Sequence, residues 1–310
     1  MTNAIENLEK LLFEHIESSY CLFSRVHKLK NTPIYVKRDD ELGGVGISGS
    51  KLRKYASLIP FLKKQGKKVV FFGSPYSNHV LSFTQLLKQE RIPFEVFLKK
   101  LPKKDPSGNF FLLSLLLTQE EVSWVDGDFV NPMLPETIWI PEGAFMIEAL
   151  LGALTIVLDV LKNEKDLNLV FEAIYVDSGT GMSAIALILG LAYLKRKTKV
   201  FVVLIAGDPS DFQSRLFSMH EAMKKLLGEP FELERECYEC LFPVTAKSFG
   251  STNQSVWKEI LQTAREEGIF LDPIYTAKTL MTVKKQEFRK NTLWIHSGGS
   301  VSNFGFKQEL

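Results

Sequence analysis

Cysteine is scarce in this chain, with three residues among 310, too few for a disulfide framework. That scarcity points to a reducing compartment, and a cytoplasmic protein is expected. Cys237 and Cys240 make a single Cys-x-x-Cys pair. No second pair and no histidine at ligand spacing accompanies it, and no His/Asp/Glu cluster stands elsewhere at such spacing, so no metal is expected. Long apolar runs are missing as well. The longest, around Ile185 to Tyr193, is too short to span a bilayer. The first thirty residues carry charges throughout, so neither a signal peptide nor a membrane anchor is expected. Charge of one sign is not in excess. With 38 Lys+Arg against 36 Asp+Glu the net charge is +2, which leaves no footprint for nucleic acid. A nucleophile elbow, Gly-x-Ser-x-Gly, is also absent.

What is present is a regular grammar of strand, loop and helix. Lys67–Phe72, Phe94–Leu98, Val122–Val125, Thr137–Ile140, Ala173–Val176, Val200–Ile205 and Leu293–Ile295 read as strands. Between them, helices are expected over Asn78 to about Glu90, Gly108 to Gln119, Phe145 to Leu161 and Met182 to Leu194. Apolar strands alternating with helices predict an α/β protein with two open, twisted, mainly parallel sheets in three-layer αβα arrangement. Such sheets bind ligands beyond the carboxyl ends of their strands, and two of them place a cleft between domains. The loops after Phe72, Val176 and Ile295 are therefore the ones to read, and all three are rich in Gly and Ser.

Lys51 is one basic residue among 38, but its setting is distinctive. It follows the loop Gly43 to Gly49, itself preceded by the extended segment Ile34–Asp40, and opens an amphipathic helix. The loop Asp177-Ser178-Gly179-Thr180-Gly181-Met182-Ser183 runs into a helix, so its backbone N–H groups and the helix N-terminus make a phosphate cradle. A tight turn with a serine cap is the plain alternative. The loop has neither the Lys-Ser/Thr ending of a nucleotide loop nor Gly-x-Gly-x-x-Gly, so it implies neither ATP nor NAD. Ser77 and Asn78 offer hydroxyl and amide at a helix start, suited to a carboxylate or a ring oxygen, where N-capping accounts for only one of them. His79 lies one turn further in and reads as structural. Thr276 is a plausible cap, Tyr275 a buried or site-lining phenol, and His296-Ser297-Gly298-Gly299-Ser300 another close-approach turn. A lysine, a phosphate cradle and neutral hydrogen-bonding loops fit pyridoxal 5'-phosphate better than any other cofactor.

These residues resemble the fold-type-II, tryptophan-synthase-β-like pyridoxal-phosphate enzymes, in the branch containing D-cysteine desulfhydrase and 1-aminocyclopropane-1-carboxylate deaminase. Lys37-Arg38-Asp39-Asp40, Gly49-Ser50-Lys51-Leu52-Arg53-Lys54, Ser77-Asn78-His79, Gly179-Thr180-Gly181-Met182-Ser183 and Asp272-Pro273-Ile274-Tyr275-Thr276-Ala277-Lys278 carry the likeness, in the family's order. The resemblance implies Lys51 as Schiff-base lysine, and Gly179, Thr180, Gly181, Met182 and Ser183 as phosphate ligands. It puts Asn78 on the ring's 3'-oxygen, Ser77 and Asn78 on the substrate carboxylate, and Thr276 against the ring nitrogen. His79 and Phe249 join the substrate-binding candidates, and Tyr275 the catalytic ones. It also implies a small substrate domain over 47–155, a large cofactor-binding domain over 1–46 plus 156–310, and a homodimer.

A hydroxyl at Thr276 in place of a carboxylate, together with His79 in place of glutamine, favours β-elimination of thiolate from D-cysteine over deaminase chemistry on the cyclopropane acid. Four departures mark this chain: Ser50 for the usual asparagine, Met182 for a glycine, Ala144 in a usual Gly-Gly, and Phe249 for a tyrosine. Met182 requires a negative φ. A reading of another class is a cofactor-binding protein with degraded catalysis, serving as sensor or interaction subunit.

Overall fold

Two sheets drawn from different stretches of chain carry this fold. In the computed structural model, which describes residues 2–17, 19–43, 46–101, 106–127, 129, 131, 133–287 and 289–306, ten strands form. They are β1 (Val26–Lys28), β2 (Ile34–Lys37), β3 (Lys68–Gly73), β4 (Phe94–Lys99) and β5 (Val122–Val125). The second five are β6 (Thr137–Ile140), β7 (Ala173–Ser178), β8 (Lys199–Leu204), β9 (Tyr238–Leu241) and β10 (Thr292–Ile295). Helices α1 (Thr2–Phe13), α2 (Lys51–Gln65), α3 (Asn78–Gln89), α4 (Gly108–Leu116) and α5 (Ile147–Ala153) lie in the first half. α6 (Thr155–Leu167), α7 (Met182–Tyr193), α8 (Pro209–Leu227), α9 (Gln254–Glu267) and α10 (Thr276–Val283) lie in the second.

The larger sheet has the order β1-β2-β10-β7-β8-β9, and only β1 runs antiparallel to its neighbour. The smaller, β5-β4-β3-β6, is wholly parallel. The chain is therefore α/β with two mainly parallel sheets, as the strand–helix alternation predicts. Strand β10 sits between β2 and β7, with Trp294 level with Val36 on one side and Tyr175 on the other. All four residues of β10 are buried, as a central parallel strand covered on both faces must be. One apolar core, with Tyr55, Phe71 and Val96 near the smaller sheet and Ile174, Val176 and Val202 near the larger, runs through both. A second cluster, including Tyr175, Trp257, Leu280 and Trp294, covers the opposite face of the larger sheet.

The helix expected over Phe145 to Leu161 is two helices, α5 and α6, parted at Leu154. A close crossing lies two residues ahead of the break. A β-carbon on Gly152 would lie 2.1 Å from the Arg53 carbonyl of α2, and the Gly152 N–H donates to Ser57 Oγ at 2.8 Å instead of to a carbonyl of its own helix. Within the glycine-rich loop before Lys51, Gly44 and Val45 lie outside the described residues. Among the described residues no helix is long and apolar enough to cross a membrane.

Candidate active site

Lys51 is the first residue of α2, and the chain around it is anchored on two sides. Ser50 N–H donates to the Ser297 carbonyl at 3.0 Å, and Ser50 Oγ to Asp39 Oδ2 at 2.9 Å. Gly49 has φ +56, and a β-carbon there would sit 2.1 Å from the Ser297 carbonyl oxygen, so only glycine permits this approach. Asp39 also takes Arg53 Nε at 2.7 Å, Arg53 Nη2 at 2.6 Å and Ser24 Oγ at 2.7 Å. Arg53 reaches Asp159 at 2.6 Å, which pairs in turn with Lys37 at 2.6 Å. Burial works to raise the Asp39 carboxyl, but Arg53 and Lys37 outweigh it and hold it at about 2. A buried charge network of this kind fixes geometry more than it adds stability.

Burial lowers the pKa of Lys51, opposed by the nearby carboxylates Asp177 and Asp272. Among the described residues its amine has no hydrogen-bond or ion-pair partner, and the carboxylates act on it by charge alone. Burial and then the charge of Lys51 push Lys54 well below the ordinary lysine value, and its amine donates to the Gly143 carbonyl at 2.6 Å. A lysine with lowered pKa and no partner is a poised nucleophile and base.

β7 delivers the phosphate cradle. The N–H groups from Gly179 to Ala184 donate to no carbonyl or side chain of the described residues; the first bond of α7 is Ile185 N–H to the Gly181 carbonyl, 2.9 Å. Gly181 has φ +96 and turns the chain into the helix. Met182 keeps a helical backbone and is 3% exposed, so its side chain enters the core while its N–H stays in the cradle. Thr180 packs on Gly143, and Arg215 Nη1 donates to the Thr180 carbonyl at 3.2 Å. Ser183 is part-exposed at the helix start. Ala144 carries φ +52, a left-handed backbone that the family's second glycine would take with less strain.

β3 delivers Ser77 and Asn78. Ser77 Oγ accepts from His79 N–H at 3.2 Å and Val80 N–H at 3.3 Å, so it caps α3 while its hydroxyl proton remains uncommitted. Asn78 Oδ1 accepts from Asn109 Nδ2 at 2.6 Å, which turns the Asn78 amide N–H toward Gly299. Both residues can therefore donate to an anion. His79 is stacked with Tyr55 and Phe83, and its Nδ1 meets the Tyr55 hydroxyl at 2.7 Å. Burial pushes its pKa well down, and Nε2 is sealed from solvent without a described partner. That is the structural role the residues alone suggest. As substrate contact His79 has no exposed nitrogen to offer.

Ahead of α10, Asp272 accepts from the N–H groups of Ile274, Tyr275 and Thr276, each at 2.8 Å. Asp272, not Thr276, is the cap. Thr276 Oγ1 donates to Asp272 Oδ2 at 2.8 Å and accepts Asp272 N–H at 2.8 Å, so its proton stays inside its own turn and one lone pair of the oxygen is left. The Tyr275 phenol lies beside Gly179 of the cradle, and burial raises its pKa. Phe249, 62% exposed, meets Tyr275 edge-on with ring centroids 6.1 Å apart. At the end of β10, Ser297 Oγ donates to Asp177 Oδ2 at 2.5 Å.

The structure thus brings together Lys51, the 179–183 cradle, Ser77, Asn78, Tyr275 and Thr276 from four separate loops. The sequence reading leaves Asp177, Asn109, Lys54 and Ser297 without roles, although Asp177 and Ser297 stand in the glycine-rich loops it singles out. Asn109 lies in an apolar helix and gives no local signal. A part-buried amine without a partner, close enough to Asp177 for that carboxylate to act on its pKa, and a row of unpaired N–H groups just after Asp177 suit pyridoxal phosphate: Lys51 would hold its aldehyde carbon and the cradle its phosphate.

A two-sheet α/β protein with such a lysine and cradle belongs to the class of cofactor-dependent enzymes that use an amine anchor. The model of the family described as "Pyridoxal-phosphate dependent enzyme" matches residues 21–298, and the chain belongs to that family. A putative 1-aminocyclopropane-1-carboxylate deaminase of Thermotoga maritima is 30% identical over 300 residues, covering 89% of this chain and 92% of that protein. A protein of the same designation from Pyrococcus furiosus is 25% identical, with 92% and 90% covered. D-cysteine desulfhydrase of Serratia proteamaculans is 24% identical, with 93% and 92% covered. Among solved structures, an ACC deaminase homologue superposes with TM-score 0.81 at 23% identity, covering 96% of each chain. The protein is a pyridoxal-phosphate-dependent enzyme of the deaminase and desulfhydrase group.

Proposed function

We propose that the protein catalyses β-elimination from a small amino acid, with D-cysteine the leading substrate and pyruvate, ammonia and sulfide the products. The observation that carries this reading is the pairing of Tyr275 with Phe249, edge-on at 6.1 Å. Opposite the one phenol stands a phenyl ring, and burial makes that phenol a weak acid. A thiolate leaves without a proton donor, whereas a cyclopropane carbon does not leave readily without one. Pyridoxal phosphate, when bound, supplies an electron sink for charge developing at the substrate α-carbon.

The chain's own groups divide the remaining work. The N–H groups of Gly179, Thr180, Gly181, Met182 and Ser183 hold the phosphate. Asn78, oriented by Asn109, donates to the ring's 3'-oxygen, and with the Ser77 hydroxyl it holds the substrate carboxylate. Lys51, with its pKa lowered by burial, takes the α-proton as general base. Tyr275 lines the pocket and guides the substrate, with Phe249 at its mouth. The proposed domains are 1–46 plus 156–310, which contain every strand of the larger sheet, and 47–155, which contain every strand of the smaller. A cytoplasmic homodimer completes the reading.

A second reading, deamination of 1-aminocyclopropane-1-carboxylate, is favoured by the names of the Thermotoga and Pyrococcus relatives. Purified protein incubated with pyridoxal phosphate should develop a visible absorption band that Lys51→Ala removes. Product formation from D-cysteine, L-cysteine and the cyclopropane acid then ranks the substrates: sulfide and pyruvate from D-cysteine uphold the proposal, and 2-oxobutyrate from the cyclopropane acid alone replaces it with the second. A protein that takes up cofactor and turns over none of the three is contrary to the proposal and favours a binding protein or a different substrate.

A further inference from the structure

We propose that Lys278 is a positioning residue that sets which amino acids the site accepts. Its buried ammonium pins the turn carrying Phe249 to α10, so that this ring stands against Tyr275 and leaves an apolar wall for a small, uncharged substrate side chain. The inference rests on the substrate lying beside Tyr275 and deepens that reading.

The chain between β9 and α9 carries the turn. Residues 242–252 form neither helix nor strand. Ser251 N–H donates to the Ser248 carbonyl at 3.1 Å and Gly250 has φ +75, so Phe249 sits at the tip of a tight turn. Ala246 is left-handed too, with φ +48. Phe249 is 62% exposed, so burial does not hold the tip in place.

Hydrogen bonds hold it instead. Lys278 Nζ donates to the Ala246 carbonyl at 2.7 Å and to the Ser248 carbonyl at 3.3 Å. Among the described residues these are the only hydrogen bonds that tie 246–251 to the rest of the fold, and the Ala246 carbonyl has no other donor. Just outside that stretch, Val244 N–H reaches Thr282 Oγ1 at 3.4 Å, and Asn253 Nδ2 donates to Thr245 Oγ1 at 2.6 Å. The tip therefore depends on one side chain.

That side chain is an unusual choice for its place. Lys278 stands in the first turn of α10 and is 1% exposed. Burial lowers its pKa, and Asp272 opposes this by charge. A lysine is seldom buried unless its ammonium is bonded, and here two backbone carbonyls do the bonding. Packing alone asks for an apolar residue there. The ammonium is accounted for by the turn it holds.

The consequence falls on the substrate. Tyr275 immediately precedes α10, so one helix end supplies the phenol and the clamp that brings Phe249 to it, edge-on at 6.1 Å. The phenol in turn lies beside Gly179 of the cradle. A substrate carboxylate set against these two rings would lose water without gaining a partner, because the nearby ammonium is already committed. A thiol or a methyl group meets no such cost.

The test joins amide hydrogen exchange to titration of the visible band of cofactor-loaded protein. In Lys278→Met the amides of 246–251 should exchange at least about tenfold faster than in wild type, with the cradle at 179–183 unchanged. DL-alanine and DL-aspartate, which carry no thiolate to expel, are then compared by the band change each causes. Wild type should bind alanine more tightly. That preference should fall at least about fivefold in Lys278→Met and in Phe249→Ala, and no further in the double variant, since both remove one wall. Exchange or preference at its wild-type value in Lys278→Met overturns the proposal, as does a double variant that multiplies the two single losses. Lys278→Gln, shorter and uncharged, should act the same way and decides if Lys278→Met does not fold. If wild type shows no visible band, the cofactor reading fails, and exchange still judges the clamp. If wild type binds alanine but releases no sulfide from D-cysteine, only the β-elimination reading fails.

Discussion

Ser50 Oγ donates to Asp39 Oδ2 at 2.9 Å, and by this bond the residue beside the anchoring lysine is tied to the buried Asp39–Arg53–Asp159–Lys37 network. The usual asparagine is replaced, yet the tether to the end of β2 is present.

That tether ranks two substitutions. Asp39→Ala leaves Arg53 short of a partner in the interior and should cost about 3–5 kcal/mol, whereas Ser50→Ala loses one hydrogen bond, about 1 kcal/mol. Urea midpoints of the two variants check the order. Asp39 also has a pH signature. Its folded pKa, about 2, lies below the unfolded value, so its stabilisation is complete above pH ~4 and disappears as pH falls toward 2. Wild type should lose stability over that window more steeply than an Asp39→Asn variant.

Asp177 has the opposite sign. Its folded pKa, about 6, lies above the unfolded value, so the folded protein binds the extra proton and stability falls as pH rises from ~4 through 6. Cofactor-free Asp177→Asn should therefore be more stable than wild type at pH 7.5, by about 3 kcal/mol, and equal to it near pH 4. Thermal melts across that range will show whether the two curves diverge. Parallel curves would remove Asp177 as the titrating group.

Gly49 and Gly66 make a matched pair. Both are left-handed, with φ +56 and +64, but a β-carbon meets the Ser297 carbonyl at 2.1 Å in the first case and open space in the second. Gly66→Ala should cost about 1 kcal/mol of backbone strain with cofactor affinity unchanged. Gly49→Ala should cost several times as much and weaken cofactor binding at least about tenfold, a loss of about 1.4 kcal/mol. Titration of the visible band separates them.

Met182 divides backbone from side chain. Its N–H belongs to the cradle, and its side chain, 3% exposed, belongs to the core. Met182→Ala should destabilise the fold by about 2–4 kcal/mol and leave cofactor affinity within about threefold. A variant of normal stability that binds no cofactor would show that the methionine acts on the site itself.

The strands most clearly legible in the sequence were the buried parallel ones. Runs such as Lys68–Gly73 and Lys199–Leu204 are apolar on both faces, and the glycine and serine turns beyond them mark the ends where ligands gather. The expected helix over Phe145 to Leu161 is parted at Leu154, and two residues ahead of that break Gly152 crosses α2, a contact remote in sequence. His79 sits in a motif that implies a substrate contact, but Tyr55 and Phe83, on other turns, draw it into the core. Thr276 has the residue type of a ring partner, and only the fold shows that its proton is directed to Asp272.

The sequence by itself determined the α/β alternation, the lysine at a helix start and the cradle before α7, because each depends on residues within one turn or one loop of each other. Only the tertiary structure decided which polar groups remain free. The proton of Ser297 goes to Asp177, 120 positions away, and the amide of Asn78 is aimed by Asn109, 31 positions away. A hydroxyl or an amide can satisfy itself locally or across the fold, and its chemistry toward a ligand is what remains after that choice.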